Sequence, residues 1–102
     1  MVDKNNRSGR WIMRRIYKYH VPEGRDFSLM MPEGAKFLKL DIQNARPVMW
    51  WIVDPEGPMS AKIFTTRGTG HALREYETTE SYLGSYLTLK DQYVGHVFEV
   101  KE

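Results

Sequence analysis

The sequence contains no cysteine, which removes disulfide frameworks, thiolate nucleophiles and cysteine-held metals from consideration. It has no apolar run near the roughly 20 residues that a membrane-spanning helix needs, and no membrane association is expected. The opening MVDKNNRSGR is charged, but no apolar segment of the secretory-signal kind follows it. Long stretches with a 3.6-residue apolar period are also missing, which argues against a helical bundle. The three histidines, His20, His71 and His96, stand far apart in the chain, whereas metal sites usually use closely spaced ligands. No metal site and no cofactor are expected. Ser8, Ser28, Ser60, Ser81 and Ser85 lie outside any G-x-S-x-G context. Glu75, Glu77 and Glu80 sit in a polar stretch that reads as solvated, without neighbours that would tune them for proton transfer. No catalytic residues are assigned, and the expected function is not enzymatic.

What is present suits one small domain: 102 residues, 41% hydrophobic and 27% charged. A chain of this size buries only about 60–70% of its unfolded surface, which favours surface grooves or sites between subunits over deep cavities. Charge is spread unevenly. Residues 1–25 hold seven cations (Lys4, Arg7, Arg10, Arg14, Arg15, Lys18 and Arg25) against Asp3 and Glu23, while the rest holds eight cations against eleven anions. Residues 1–12 read as a flexible basic arm preceding a single all-β domain at 13–102.

Periodicity of two dominates that domain. Residues 12–21 alternate, with Ile12 and Ile16 on one face and Tyr17, Tyr19 and Val21 on the other. PEGRD and PEGA, two Pro-Glu-Gly turns, bracket the short strand FSLMM. KFLKLDIQ alternates most clearly, with Leu38, Leu40 and Ile42 expected on one buried face and Lys39, Asp41 and Gln43 on a wet one. VMWWIV, apolar on both faces, reads as a central strand covered on two sides, and AKIFTTR as the next strand. ALREYETTE is expected as a helical turn or a long loop, followed by the strands SYLGSYLTL and YVGHVFEV joined by KDQ. In the last strand, Val94, His96, Phe98 and Val100 fall opposite Tyr93, Val97 and Glu99. About seven short strands with frequent turn signals predict an antiparallel β-sandwich or small barrel, with at most one short helical turn.

One segment stands out as a candidate site: Arg67, Gly68, Thr69, Gly70 and His71. Glycine amides in a tight turn can form an anion-binding concavity, and Arg67 and His71 would add charge and donors. The spacing fits neither a Walker-type phosphate loop nor a dinucleotide fingerprint, and the same glycines also suit a plain strand exit. Trp50 and Trp51 are adjacent, so one anchors the core while the other faces outward and can stack on a base or a partner. Arg7, Arg10, Arg14 and Arg15 offer an alternative, salt-dependent contact with nucleic acid.

RRIYKYHV, MPEGAKFLKLDIQN, PVMWWIVDP, GTGH, YLGSY and GHVFEVK, in this order, resemble a family of small phage and prophage proteins that is itself a domain of unknown function. The resemblance runs from about Arg14 to Lys101 and leaves the leader outside. Members commonly carry one tryptophan in the central strand followed by an aliphatic residue, and the doubled Trp50-Trp51 departs from that. The resemblance brings no catalytic or binding residues with it. It implies an accessory protein in the cytoplasm of an infected bacterial host, acting by binding. The resulting expectation is a non-catalytic counter-defence protein, homo-oligomeric, that sequesters a nucleotide-like signal or caps a host protein. Phosphate would sit at Arg67 and the 68–70 amides, and a base on Trp50, Trp51 or a tyrosine. A nucleic-acid-binding accessory protein and a virion structural or assembly component are the alternatives.

Overall fold

The computed structural model of the chain describes residues 13–88 and 92–101. Alternating apolar residues between turn signals become seven strands: β1 Arg15–His20, β2 Asp26–Pro32, β3 Lys36–Gln43, β4 Arg46–Val53, β5 Met59–Gly68, β6 Tyr82–Thr88 and β7 Tyr93–Val100. They form two antiparallel sheets, ordered β1-β4-β3 and β2-β5-β7-β6. The all-β expectation holds in its sandwich form. The barrel form does not, because no strand pairing joins one sheet to the other. The proposed arm at residues 1–12 lies outside the described residues.

The core sits between the sheets and is built on rings. Trp51, 1% exposed, meets Phe64 of the facing sheet edge-on at 5.9 Å between centroids and Phe37 at 5.4 Å. Phe27 stacks on Phe64 at 5.0 Å, and Met31, Met49, Val53 and Val97 fill the space around them. Aromatic pairs in such offset and edge geometries add to what their buried area contributes.

Two local features depart from simple alternation. The β3–β4 register shifts between Phe37 and Lys39, so Leu38 is a bulge residue and is 45% exposed. Phe37 and Leu40 pack against the core instead of the expected Leu38 and Leu40, since one inserted residue flips the parity on one side of it. Beyond the bulge Leu40 and Ile42 stay on the inward side, as the alternation requires. In β4, Met49, Trp51 and Val53 enter the core and Val48 is also buried, while Trp50 and Ile52 on the other face are partly exposed.

The β5–β6 connection positions the candidate site. Both strands run antiparallel to β7, which lies between them, so residues 69–81 must cross β7 to reach the far edge. They cross on the outer face of the sheet, where Glu77 bonds to Thr65 of β5. The segment is a chain of turns, with Glu77 N–H donating to Arg74 C=O at 3.0 Å and Ser81 N–H to Thr78 C=O at 3.1 Å. The loop alternative is the one realised.

Candidate functional site

β5 ends in a tight turn. His71 N–H donates to Gly68 C=O at 3.1 Å, and Gly70 has a φ of 89°, the signature of a type II turn with glycine at its third position. His71 folds back over the turn, and its Nδ1 accepts the Gly68 N–H at 3.1 Å. A Cβ at residue 68 would stand 2.9 Å from His71 Cε1, so glycine is required for that approach. With Nδ1 accepting, the neutral ring carries its proton on Nε2. The Gly68 amide, expected to help cradle an anion, is thus occupied within the turn.

Arg67 turns inward. Its side chain is 1% exposed, with Nε 2.9 Å from Glu77 Oε2 and Nη1 3.4 Å from Asp26 Oδ1, and Nη1 also donates to Thr66 C=O at 3.1 Å. Glu77 in turn accepts from Thr65 Oγ1 at 2.6 Å and from Arg74 N–H at 2.6 Å. Burial pushes the Glu77 carboxyl up, but the Thr65 hydroxyl, the Arg74 amide and the Arg67 guanidinium together outweigh it and hold it below its ordinary value. Glu77 is therefore a buried counter-ion. Its segment reads as solvated in sequence because the groups that enclose it come from β5 and from the crossing loop.

Next to this pair, a second set of polar groups faces solvent. His96 is the direct cross-strand partner of Arg67. Its Nε2 lies 2.8 Å from Thr69 Oγ1 and its Nδ1 2.8 Å from Tyr82 Oη, so both ring nitrogens are engaged and the ring is fixed. Tyr82 packs edge-on against Phe98 at 5.2 Å. Thr69, His71, Leu73, Tyr82, His96 and Phe98 line an open trough of about 270 Å³. A neighbouring depression of about 480 Å³ shares Leu73, Tyr82 and Phe98 and continues to Glu77, Thr78 and Thr79. The two make one apolar floor with a polar rim. Sequence reasoning placed His96 and Phe98 on one strand face, but Tyr82 and Leu73 carried no signal, because only the crossing loop brings them there.

The other sequence candidates fall elsewhere. Trp51 is sealed in the core. Trp50 faces out from the β1-β4-β3 sheet, directly between Lys18 and Lys39 in the register. Neither tryptophan shares the trough with Arg67, Gly68, Thr69, Gly70 and His71. His20 lines a separate depression of about 420 Å³, and among the described residues no three His, Asp or Glu side chains gather as a metal site. Arg14 and Arg15 are exposed at the start of β1, while Arg7 and Arg10 lie outside the described residues.

No curated protein and no solved structure is similar enough to match this chain. Residues 13–102 match DUF7352, a domain of unknown function, and the chain belongs to that family.

Proposed function

We propose that this DUF7352 member is a non-catalytic binding protein, a phage accessory factor working in the cytoplasm of an infected host, and that the trough beside the 67–71 turn is its capture site. The observation that carries this reading is the open floor of Leu73, Tyr82 and Phe98, rimmed by Thr69, His71 and His96. Pre-positioned polar groups around an apolar floor suit a flat ring with a hydrogen-bonding edge. A nucleobase meets that description, as does an aromatic side chain of a host protein. His71 offers Nε2–H once its Nδ1 is committed to Gly68. A phosphate would have to be held by other groups, because the charge of Arg67 is already matched by Glu77. The trough is open to solvent, and the proposal includes a second copy of the chain as its facing wall.

The test is a thermal-shift panel of mono-, di- and cyclic nucleotides and ADP-ribose derivatives. A ligand present at a hundred times its Kd adds about 2.7 kcal/mol to stability. The expected result is a clear shift for at least one compound in the wild type, lost in Tyr82→Ala and in His71→Ala. A flat panel, together with no partner retained from infected cells by the wild type but lost by Tyr82→Ala, removes the proposal.

A further inference from the structure

The outer face of the β1-β4-β3 sheet carries lysines and large apolar side chains in cross-strand rows. The registers align Ile16, Ile52 and Lys36 in one row, and Lys18, Trp50 and Lys39 in the next. Directly paired residues in antiparallel strands share a face. Strands lie about 4.8 Å apart, so the two lysine Cα atoms stand roughly 10 Å apart with the indole between them. Ile16 is 62% exposed, and Leu38, pushed out by the bulge, is exposed as well. Three lysines therefore surround a half-covered tryptophan, and the nearby carboxylate is that of Asp41.

The present partners of these lysines are weak. Lys39 Nζ lies 3.1 Å from Asp41 Oδ2 with both side chains more than half exposed, and Lys18 Nζ donates to the exposed Gln43 Oε1 at 2.7 Å. Exposed pairs of this kind contribute little and are readily exchanged for another anion. Cations spaced on both sides of a partly exposed ring are the parts of a single-stranded nucleic-acid platform, where a base stacks and the flanking phosphates are neutralised. A double helix offers no free base face to such a ring. Exposed Arg14 and Arg15 stand just before and at the start of β1, an edge strand of this sheet.

We propose that Trp50, Lys18, Lys39 and Lys36 form a binding platform for single-stranded nucleic acid, on the face of the sandwich opposite the trough. The platform does not depend on the trough reading, and each can fail alone.

The experiment uses the full chain and a fluorescent oligothymidylate of about 15 nucleotides, a length within the usual site sizes, read by anisotropy. Binding is expected at roughly 50 mM salt and should weaken steeply as salt rises. Trp50→Ala should weaken it at least about fivefold, the low end of what base stacking contributes. Trp50→Phe should keep most of the affinity. Lys18→Glu with Lys39→Glu should abolish binding, while Lys101→Glu, an equal charge change per site just after β7 of the other sheet, should leave it nearly unchanged. The double lysine variant alters only exposed side chains, so it keeps the test decisive if Trp50→Ala misfolds. The proposal is overturned if the wild type binds no oligonucleotide at low salt. It is equally overturned if the Trp50 and lysine variants bind as tightly as wild type, or if duplex of the same length binds equally well and ignores Trp50→Ala. Tyr82→Ala should not change oligonucleotide affinity, and a loss there would move the site to the trough and overturn the platform.

Discussion

Glu77→Ala would leave the enclosed Arg67 guanidinium without its closest counter-charge, and breaking a buried pair from one side costs about 3–5 kcal/mol. Urea denaturation should register that loss, and Arg67→Met combined with Glu77→Leu should recover most of it because both charges leave together. It follows that lost ligand binding in Arg67→Ala would report on the fold, so His71 and Tyr82 are the informative positions. The pair also sets the response to acid. The Glu77 carboxyl is held below its ordinary value of 4.5 in the folded state. Its contribution is therefore fully present above the unfolded value and lost as pH falls through the folded one. The denaturation midpoint should fall below about pH 4.5, and Glu77→Gln should flatten that part of the curve. None of this was legible locally. Glu75, Glu77 and Glu80 look alike in sequence, and it is Thr65 and Arg67 from β5, with the Arg74 N–H of the crossing loop, that single one out.

The strands themselves were largely visible, because alternation and turn chemistry agree along most of the chain. The departures come from single insertions. At Leu38 an extra residue swaps which side chains reach the core, and nothing in KFLKLDIQ marks it, since Phe37 and Leu38 are both apolar. The β3–β4 hairpin is a clearer case. Asn44 and Ala45 have φ values of 52° and 65°, the pair of left-handed residues that a type I′ turn demands. Asparagine tolerates that geometry and alanine does not, so Ala45→Gly should stabilise the protein by about 0.5–1 kcal/mol, seen as a higher Tm. Gly95 gives the opposite expectation. A Cβ there would stand 2.5 Å from Tyr86 Cζ, so Gly95→Ala must displace the ring and should cost about 1–3 kcal/mol. Tyr86→Leu in the same chain should return part of it.

Across the molecule, the class was readable and the wiring was not. PEGA and NARP look like equivalent turns, yet β2 and β3 belong to different sheets while β3 and β4 pair as a hairpin. Turn residues specify a reversal, and the choice between staying in a sheet and crossing the core depends on partners far along the chain. For the same reason the sequence brought Trp50 and the 67–71 turn into one imagined site, when the sandwich sets them on different sheets, facing away from each other. The position of β7 has a further result. Among the described residues it is the last strand in chain order but an interior one in its four-stranded sheet, bonded to β5 on one side and β6 on the other. A ribosome delivers β5, the crossing loop and β6 before the strand that joins them exists. Until Tyr93–Val100 emerges, the floor of the trough lacks Phe98 and His96, and the loop carrying Glu77 closes over a half-made sheet. A chain without this strand would leave the inner edges of β5 and β6 unpaired and the trough without His96 and Phe98.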